Sequence, residues 1–363
     1  MADAPNANNL ARLQLIRSAN VGPITYRQLI ARFGNAEAAL EALPMLAARG
    51  GGRAPQIADA GAVRREIASV EKLGARYLFL GDADYPALLA ELDSAPPAII
   101  VRGRVELADR TTIAMVGARN ASAAACRFAR QLAIGLGEAG VTVASGLARG
   151  IDTAAHVGSL ESGTIGVIAS GIDVAFPPEN RELQERVASE GLLLAEQPPG
   201  TEPLARFFPS RNRIIAGLAL GTVVVEAAPR SGSLITARIA AEAGREVMAV
   251  PGSPLDPRAQ GCNLLIREGA TLVQNVEDIL EAVRPIDARA VRSPVGGYGA
   301  EPPMDADDSD RRRVTGLLGP VPVAVDELIR QAELPAPVVQ TVLLELELSG
   351  RLERHAGGRV SLA

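Results

Sequence analysis

The sequence is poor in the side chains on which most enzymes depend. Its 363 residues contain no tryptophan, two histidines and two cysteines, and Lys72 is the single lysine among 37 lysines and arginines. Because Leu73 follows Lys72, the Gly-Lys-Ser/Thr step of a Walker A loop is missing, and this solvated, helix-like stretch does not suit Schiff-base chemistry. The few histidines and cysteines do not provide a zinc site or a disulfide framework. The sequence therefore predicts no metal site, no cofactor and no enzyme activity.

Long apolar runs are missing as well. No stretch approaches the roughly 20 apolar residues that a membrane span requires. The first residues lack the basic and apolar regions of a signal peptide. Together with the scarcity of cysteine, this predicts a cytoplasmic protein without a membrane span.

The net charge of −5 comes from one short segment. Glu301, Asp305, Asp307, Asp308 and Asp310 fall together with no basic residue among them, so the rest of the chain sums to zero. The overall charge therefore does not exclude a polyanionic partner. The kind of partner has to be inferred from local patches of charged residues instead.

Four segments of the chain differ in their patterns. Residues 1–75 predict a domain of short helices, and residues 76–284 predict alternating strands and helices. Residues 285–310, rich in Pro, Gly and Asp, are typical of an acidic linker. Residues 311–363 predict three helices and a hairpin that turns at Gly357-Gly358, which favours a winged helix.

Apolar, β-rich runs alternate with alanine-rich helices in the second segment. The predicted strands are 98–101, 112–116, 141–145, 164–169, 192–195, 222–226 and 246–250. Near-continuous apolar runs are typical of parallel strands buried on both faces. Intervening helices such as 122–138 and 151–161 complete a βαβ series. We therefore predict an α/β fold with a Rossmann-like, doubly wound, mostly parallel sheet.

The strand at 112–116 is followed by Gly117-Ala118-Arg119 and a helix. A glycine here lets the backbone approach an anion, which the helix N-terminus attracts. Gly117, Arg119 and Ser122 do not fit the G-x-G-x-x-G fingerprint, and Ser145 rather than an acid ends the next strand. Dinucleotide binding is therefore not expected.

The helix after Ser145 carries a polar pair. Asp152 and His156 are four residues apart and share one helix face. They form either a functional pair at the sheet edge or a helix cap with a local hydrogen bond. No G-x-S-x-G elbow accompanies them, which argues against a Ser–His–Asp hydrolase. We interpret Ser145, Asp152, His156 and Glu226, which ends a later strand, as supporting polar residues.

Two further motifs offer groups that bind a polyanion. Residues 207–213 place two arginines and an amide directly after a pair of phenylalanines. Arginine forks match phosphate oxygens and aromatic rings stack on unpaired bases, although core phenylalanines and surface ion pairs are the alternative. Residues 231–233, Ser-Gly-Ser, open a helix and either cradle an anion or simply cap the helix.

The terminal segments give weaker signals for DNA. Val21-Gly22-Pro23 resembles the turn of a helix-hairpin-helix, with a simple helical turn as the alternative. The helix predicted at 338–350 offers Gln340 together with Glu345 and Glu347 but no base, so we do not expect it to read a duplex. A protein contact is favoured, or weak backbone contact through Arg351, Arg354 and Arg359.

The order and spacing of these motifs resemble the DNA-processing protein A family, also called DprA or Smf. The resemblance runs from about residue 85 to residue 282 and is carried by Tyr85-Pro86, residues 116–119, residues 145–152 with His156, residues 208–213, Glu226, residues 231–237, residues 250–252 and residues 261–263. It implies an extended Rossmann fold, with a sterile-alpha-motif-like domain before it and a winged helix after it.

The resemblance also implies a function without enzyme activity. Members bind single-stranded DNA and load the RecA recombinase onto it in natural transformation, easing displacement of single-strand-binding protein, and they form homodimers. DNA contacts carry over to Arg119, Arg211, Asn212 and Arg213, and Arg206 is the candidate to replace a lysine that some members use. We add Gly117, Phe208, Ser231, Gly232 and Ser233 to the predicted DNA-binding set.

Two alternatives remain open at this stage. One is a nucleotide hydrolase of the lysine-decarboxylase-like Rossmann group, whose Pro-Gly-Gly-x-Gly-Thr motif corresponds poorly to residues 231–236 and for which Glu226 is the only nearby acid. The other is a pure interaction module without affinity for DNA.

Overall fold

The computed structural model describes residues 7–53, 55–284, 304–355 and 357–363. These residues form two compact units. The terminal unit contains the described residues of Met1–Arg65 and Asp287–Ala363, and the central unit is Glu66–Ile286. The helical and winged-helix segments, predicted as separate domains, are therefore grouped together. No helix in the described ranges is long and apolar enough to cross a membrane.

The chain begins with a cluster of helices, as predicted. Its helices are α1 (Ala7–Arg17), α2 (Pro23–Phe33), α3 (Ala36–Arg49) and α4 (Ala60–Lys72). Gly22 precedes α2 in extended conformation and Pro23 supplies its first residue, where a missing N–H costs nothing. The side chain of Asn35 caps α3 by accepting from the amide of Ala38.

A nine-stranded sheet forms the centre of the second unit. Its strands are β1 (Arg76–Phe79), β2 (Ala98–Gly103), β3 (Thr112–Val116), β4 (Thr142–Ser145), β5 (Thr164–Gly171), β6 (Leu192–Gln197), β7 (Gly221–Val224), β8 (Glu246–Ala249) and β9 (Thr271–Leu272). The helices are α5 (Ala87–Ala90), α6 (Ala123–Glu138), α7 (Ile151–Ser159), α8 (Arg181–Glu190), α9 (Phe207–Gly217), α10 (Gly232–Glu242), α11 (Gln260–Arg267) and α12 (Val276–Val283).

The strand order is β1-β2-β6-β5-β4-β3-β7-β8-β9. From β3 the chain runs outward through β4 and β5 to β6, then returns to the other side of β3 with β7. Strand order thus reverses between β3 and β7, which is where doubly wound sheets bind their ligands. The predicted doubly wound, mostly parallel fold is confirmed.

The structure corrects the strand prediction in two respects. The run at 98–101 was predicted among the parallel strands, but β2 pairs antiparallel with both β1 and β6. It is buried along its apolar residues, so its sequence resembles that of a parallel strand. The short strands β1 and β9 were missed, because β1 begins with the exposed Arg76 and the half-buried Tyr77, and β9 has only two residues.

Apolar side chains fill both faces of the central sheet. Ala114 and Val116 of β3 belong to one core cluster, whereas Ile113 and Met115 belong to another. Alternate residues of a strand point to opposite faces, so this division places a layer of helices on each side. The two cores fix the carboxyl ends of the strands and the loops that follow them.

The C-terminal segment has the predicted winged-helix elements. They are α13 (Asp308–Leu317), β10 (Val323–Ala324), α14 (Val325–Ala332), α15 (Ala336–Leu348), β11 (Leu352–His355) and β12 (Arg359–Leu362). The first helix begins at Asp308, inside the range predicted as linker, because Asp307 and Asp310 form a capping box there. Residues 285–303 of the predicted linker, including Glu301, lie outside the described residues.

Helix α15 is the buried centre of the terminal unit. Leu344 and Leu348 share a core cluster with Leu15, Leu29 and Leu43 of the N-terminal helices. Other residues of α15, including Val339 and Leu343, belong to the winged-helix core. The helix is therefore covered on both sides. Its partly exposed Gln340 accepts a hydrogen bond from the Gln28 side chain at 2.9 Å.

Candidate nucleic-acid interface

The loops that follow β3 and β7 meet where the strand order reverses. Gly117 and Arg119 follow β3, and Ser231 and Gly232 lie at the start of α10 after β7. Gly117 packs against Ile151 so closely that a Cβ there would lie 2.6 Å from a side-chain carbon. The sequence thus needs glycine to bring the first loop onto α7.

These loops and α9 enclose a cavity of about 610 Å³. Its lining includes four arginines, Arg119, Arg211, Arg230 and Arg258, and one carboxylate, Asp152. The remaining polar lining comes from Asn120, Asn212 and the α10 turn, and the apolar lining includes Phe208, Ile215 and Ile235. An excess of guanidinium over carboxylate makes the cavity suited to an anion.

Arg211 is the most deeply placed of these arginines. It is 7% exposed, its Nη1 lies 3.8 Å from Oδ2 of Asp152, and its Nε has no hydrogen-bond partner within the described ranges. Burial lowers the pKa of Arg211 and raises the pKa of Asp152, and each charge partly opposes the shift of the other. Since an arginine remains charged in proteins, the cavity holds a buried cation whose donors are only partly used.

The loop after β4 is shaped around Arg211. A Cβ at Gly146 would overlap Nη1 of Arg211, so only glycine leaves room for the guanidinium. The amide of Ala148 in the same loop donates to Asp152 at 3.3 Å. Gly150 precedes α7 with φ +74°, a left-handed conformation that favours glycine. The motif from Gly146 to Asp152 thus positions one ion pair.

Phe208 lies close to two cations. The guanidinium of Arg119 is 5.3 Å from its ring centroid, and that of Arg211 is 5.7 Å away. Phe176 meets the same ring edge-on at 6.0 Å and is itself 42% exposed. Arg119 has no carboxylate within 4.0 Å among the described residues, so its charge and an aromatic face are both presented at the cavity.

The start of α10 contributes hydroxyl and amide groups. Ser231 caps the helix by accepting from the amide of Ser233, and the two side-chain oxygens lie 2.7 Å apart. Asn212 donates from Nδ2 to the carbonyl of Gly232 at 3.4 Å, which ties α9 to this turn. A Cβ at Gly232 would meet nothing within 4 Å, so the turn is open. The helix start adds a partial positive charge to the cavity.

Ser145 and His156 are fully buried and do not line the cavity, but they hold the strand ends and the loop beside it. Ser145 donates to the carbonyl of Met115 at 2.6 Å, which joins the ends of β4 and β3. The amide of Leu147 donates to Nε2 of His156 at 3.4 Å, so Nδ1 carries the proton that faces Thr164 Oγ1 at 2.7 Å. The local hydrogen-bonding alternative is therefore the one the structure favours for His156.

Acid should destabilise the chain through His156. Burial lowers the pKa of His156 from 6.5 to about 3, because the charged ring would lose its water. Between these two pKa values the unfolded chain binds a proton at His156 and the folded chain does not. The free energy of unfolding therefore falls as the pH drops. From about pH 7 to about pH 5 we expect a loss of about 2 kcal/mol that a His156→Gln variant lacks. Urea unfolding followed by circular dichroism measures it.

The control is His355→Gln, which removes the only other histidine of the sequence. His355 lies in the terminal unit, with Nε2 2.8 Å from Ser361 Oγ. The His355→Gln substitution leaves His156 in place, so the acid sensitivity that His156 contributes should remain. Equal pH dependence in the parent chain and in His156→Gln would contradict a neutral, buried His156.

Three further predicted residues lie away from the cavity lining. Arg213 pairs with Glu196 and donates to the carbonyl of Ser94. It follows Arg211 by two residues, which puts the two side chains on different helix faces. Arg206 lies over the Phe207 ring at 4.9 Å. Glu226 accepts from the amide of Ser122 at 2.8 Å, at the start of α6.

Sequence reasoning missed Phe176, Arg230 and Arg258. Arg258 lines the cavity and pairs with Asp256 at 2.8 Å, and exposed Arg230 directly precedes the Ser231 cap. Arg230 could have been found from its place beside the motif. Phe176 and Arg258 lie outside every motif, and no local signal marks them. No group of three or more His, Cys, Asp or Glu side chains in the described ranges is arranged to hold a metal ion.

Comparison with known families decides the identity of the central unit. Residues 76–284 match the model of the DNA recombination-mediator protein A family. The chain belongs to this family. The flanking segments match its companions, a DprA-like N-terminal HHH domain at residues 6–69 and a DprA winged-helix domain at residues 299–358. Membership confirms the resemblance to DprA/Smf proteins and gives the chain a DNA-processing role in recombination.

Individual relatives agree with the family assignment. The DNA processing protein DprA of Streptococcus pneumoniae is 45% identical over 201 residues, which cover 55% of this chain and 71% of the relative. Protein Smf of Synechocystis is 34% identical over 316 residues, covering 78% of this chain and 79% of the relative.

Two solved structures share the fold. The S. pneumoniae DprA structure superposes with a TM-score of 0.59 at 37% identity, covering 68% of this chain and 82% of that one. The DNA processing protein A of Helicobacter pylori, described for its mode of binding single-stranded DNA, gives a TM-score of 0.52 at 26% identity, covering 56% and 94%.

Proposed function

We propose that this DprA-family chain binds single-stranded DNA in the cavity between the β3 and β7 loops. The observation that carries the proposal is Arg211, a buried guanidinium whose Nε has no partner in the described structure and whose single carboxylate lies 3.8 Å away. A phosphodiester would complete its hydrogen bonds and neutralise its charge. The H. pylori relative, which binds single-stranded DNA, supports this assignment.

The residues around Arg211 suit a strand with unpaired bases. Arg119 and the α10 turn at Ser231 and Gly232 offer donors for neighbouring phosphates. Phe208, with Phe176 at its edge, offers an aromatic face on which a base stacks without regard to sequence. A duplex hides its base faces, so we expect single strands to bind more tightly than duplexes. Of the predicted set, Arg206 and Arg213 are left out of this assignment.

Salt should weaken this binding in a predictable way. Each phosphate that the cavity neutralises releases counterions and contributes about −0.7 to the slope of log affinity against log salt concentration. We expect a negative slope for labelled oligo-dT, measured by fluorescence anisotropy. Affinity for oligo-dT that does not change with salt, or no binding at low salt, would exclude the phosphate contacts and leave the pure interaction module.

The hydrolase alternative has less support from the geometry. The acid predicted for it from the sequence, Glu226, accepts from the Ser122 amide at the start of α6 and is not part of the cavity lining. We therefore propose that the chain is not an enzyme. Hydrolysis of a nucleoside monophosphate by the purified chain, lost in a Glu226→Gln variant, would contradict this.

The finer functional steps rest on the family resemblance. We propose that the chain acts as a cytoplasmic homodimer that loads RecA onto single strands during natural transformation, with single-strand-binding protein displaced indirectly. Faster RecA assembly on strands coated with single-strand-binding protein is the expected result when the chain is added. A sedimentation profile showing only monomer at micromolar concentration would contradict the dimer.

A further inference from the structure

A second arginine-rich cavity lies in the terminal unit. This junction cavity, of about 420 Å³, lies between the end of α3, the helix α13 and the second half of α15. Its lining includes four arginines, Arg49, Arg311, Arg312 and Arg351, and one carboxylate, Glu345. Gly50, Gly51, Thr315 and three further residues complete it, so the cavity is formed jointly by the N-terminal helices and the winged helix.

Two of the four cations are neutralised by carboxylates. Arg311 donates from Nε and Nη2 to both oxygens of the fully buried Glu345, at 2.8 and 2.9 Å. Arg49 donates to Asp305 at 3.0 Å. These pairs hold the two guanidiniums in fixed positions at the wall of the junction cavity.

The other two cations have only carbonyl partners. Nε of Arg312 donates to the carbonyl of Asp308 at 3.1 Å, and Nη1 of Arg351 donates to the carbonyl of Gly50 at 2.9 Å. Neither has a carboxylate within 4.0 Å in the part of the chain that the structure describes. A carbonyl accepts a hydrogen bond but does not cancel a charge, so both keep a full positive charge and free donors.

The exposed side chain of Arg351 lies beside the turn at Gly50 and Gly51. A Cβ at Gly51 would lie 2.9 Å from its Nη1, and a Cβ at Gly50 would overlap the carbonyl of Glu345. The glycine turn therefore lies directly against the end of α15 and the arginine that follows it. The junction cavity therefore offers open guanidinium donors beside the end of α15.

We propose that the junction cavity binds a phosphate-bearing anion between Arg312 and Arg351. Two guanidinium forks without counter-charges match the oxygens of a phosphate, and the volume leaves room for the group esterified to it. This site belongs to the terminal unit and is separate from the cavity proposed above for single-stranded DNA. A nucleic-acid backbone and free inorganic phosphate share this chemistry, and the experiment separates them.

Arginine footprinting of the full-length chain tests the proposal. Phenylglyoxal modification is mapped by mass spectrometry with inorganic phosphate, with oligo-dT, with a DNA duplex, and with chloride of equal ionic strength as the reference. We expect at least one phosphate-bearing arm to reduce modification of Arg312 and Arg351. Arg313 and Arg330 are matched controls, because each pairs with a carboxylate, and their modification should not change.

Protection by inorganic phosphate alone identifies a free-phosphate site, and protection by an oligonucleotide but not by phosphate identifies a nucleic-acid backbone. Protection in no arm, or equal protection of Arg313 and Arg330, overturns the proposal. Arg312→Gln breaks only a bond within its own helix and should abolish protection of Arg351. Protection of Arg351 that persists in this variant would also overturn it.

A further variant separates this result from the proposed function. An Arg119→Ala, Arg211→Ala chain should bind oligo-dT more weakly than the parent chain and keep the protection of Arg312 and Arg351. Loss of that protection in this variant would show that footprinting reports the central cavity, which would overturn the second site.

Discussion

An Arg211→Gln variant should bind oligo-dT about ten- to a hundredfold more weakly than the parent chain, a loss of about 1.4–2.8 kcal/mol. The guanidinium is buried, unlike those of the other three arginines in the lining, its Nε is unpaired among the described residues, and Phe208 lies 5.7 Å away. Glutamine keeps part of the volume but removes the charge that a phosphate would neutralise. Fluorescence anisotropy at fixed low salt measures the change.

Asp152 provides the decisive control for this prediction. Its carboxylate lies 3.8 Å from Nη1 of Arg211 and competes with a phosphate for the same cation. Asp152→Asn should therefore strengthen oligo-dT binding, and Asp152→Asn combined with Arg211→Gln should bind as weakly as Arg211→Gln alone. Arg238→Gln changes an exposed arginine that pairs with Glu242, and it should leave affinity unchanged. Stronger binding by Arg211→Gln, or weaker binding by Asp152→Asn, would contradict the phosphate assignment.

The sequence predicts the edge of the cavity well because each motif is local. A glycine after a buried strand, as at Gly117, and a serine before a helix, as at Ser231, signal their conformations through neighbouring residues alone. The Gly146 motif was located in the same way. The reason for glycine at this position is seen only in the structure. A Cβ at Gly146 would overlap the guanidinium of Arg211, which is distant in sequence.

Residues 211 and 213 show where local reasoning stops. Both are arginines in one motif, and helix periodicity alone separates their directions. Their partners are distant in sequence. Arg211 lies beside Asp152, whereas Arg213 pairs with Glu196 and donates to the carbonyl of Ser94. Phe176 and Phe208 are also far apart in sequence although their rings are in contact, so no local pattern marks Phe176.

Composition misjudged the acidic segment for a related reason. A run of aspartates with prolines is typical of a solvated linker, yet Asp305 accepts from both Arg32 and Arg49. These arginines lower the pKa of Asp305 by stabilising its charged form. Asp307 and Asp310 cap α13. These three aspartates belong to the fold of the terminal unit, and the role of Asp305 depends on an arginine about 250 residues away in sequence.

Helix α15 joins the two halves of that unit through Glu345. The carboxylate is fully buried, receives both donors of Arg311 and lies 4.0 Å from Arg49 of α3. On the same helix Leu344 and Leu348 pack among the N-terminal helices. Much of the surface of this helix is thus occupied by the rest of the terminal unit, and the absence of duplex readout by it stays a prediction.

A Glu345→Ala variant should destabilise the terminal unit by about 3–5 kcal/mol, because it leaves Arg311 without its buried partner. Hydrogen exchange should rise together in α3 and α13, although the two helices lie at opposite ends of the sequence, since one buried ion pair serves both. Glu333→Ala removes an exposed partner of Arg313 and should cost less than about 1 kcal/mol. Faster exchange in α13 with unchanged exchange in α3 would contradict a single cooperative unit. Exchange of the central strands β3 and β7 should be unaffected in both variants, because their cores contain no residue of the terminal unit.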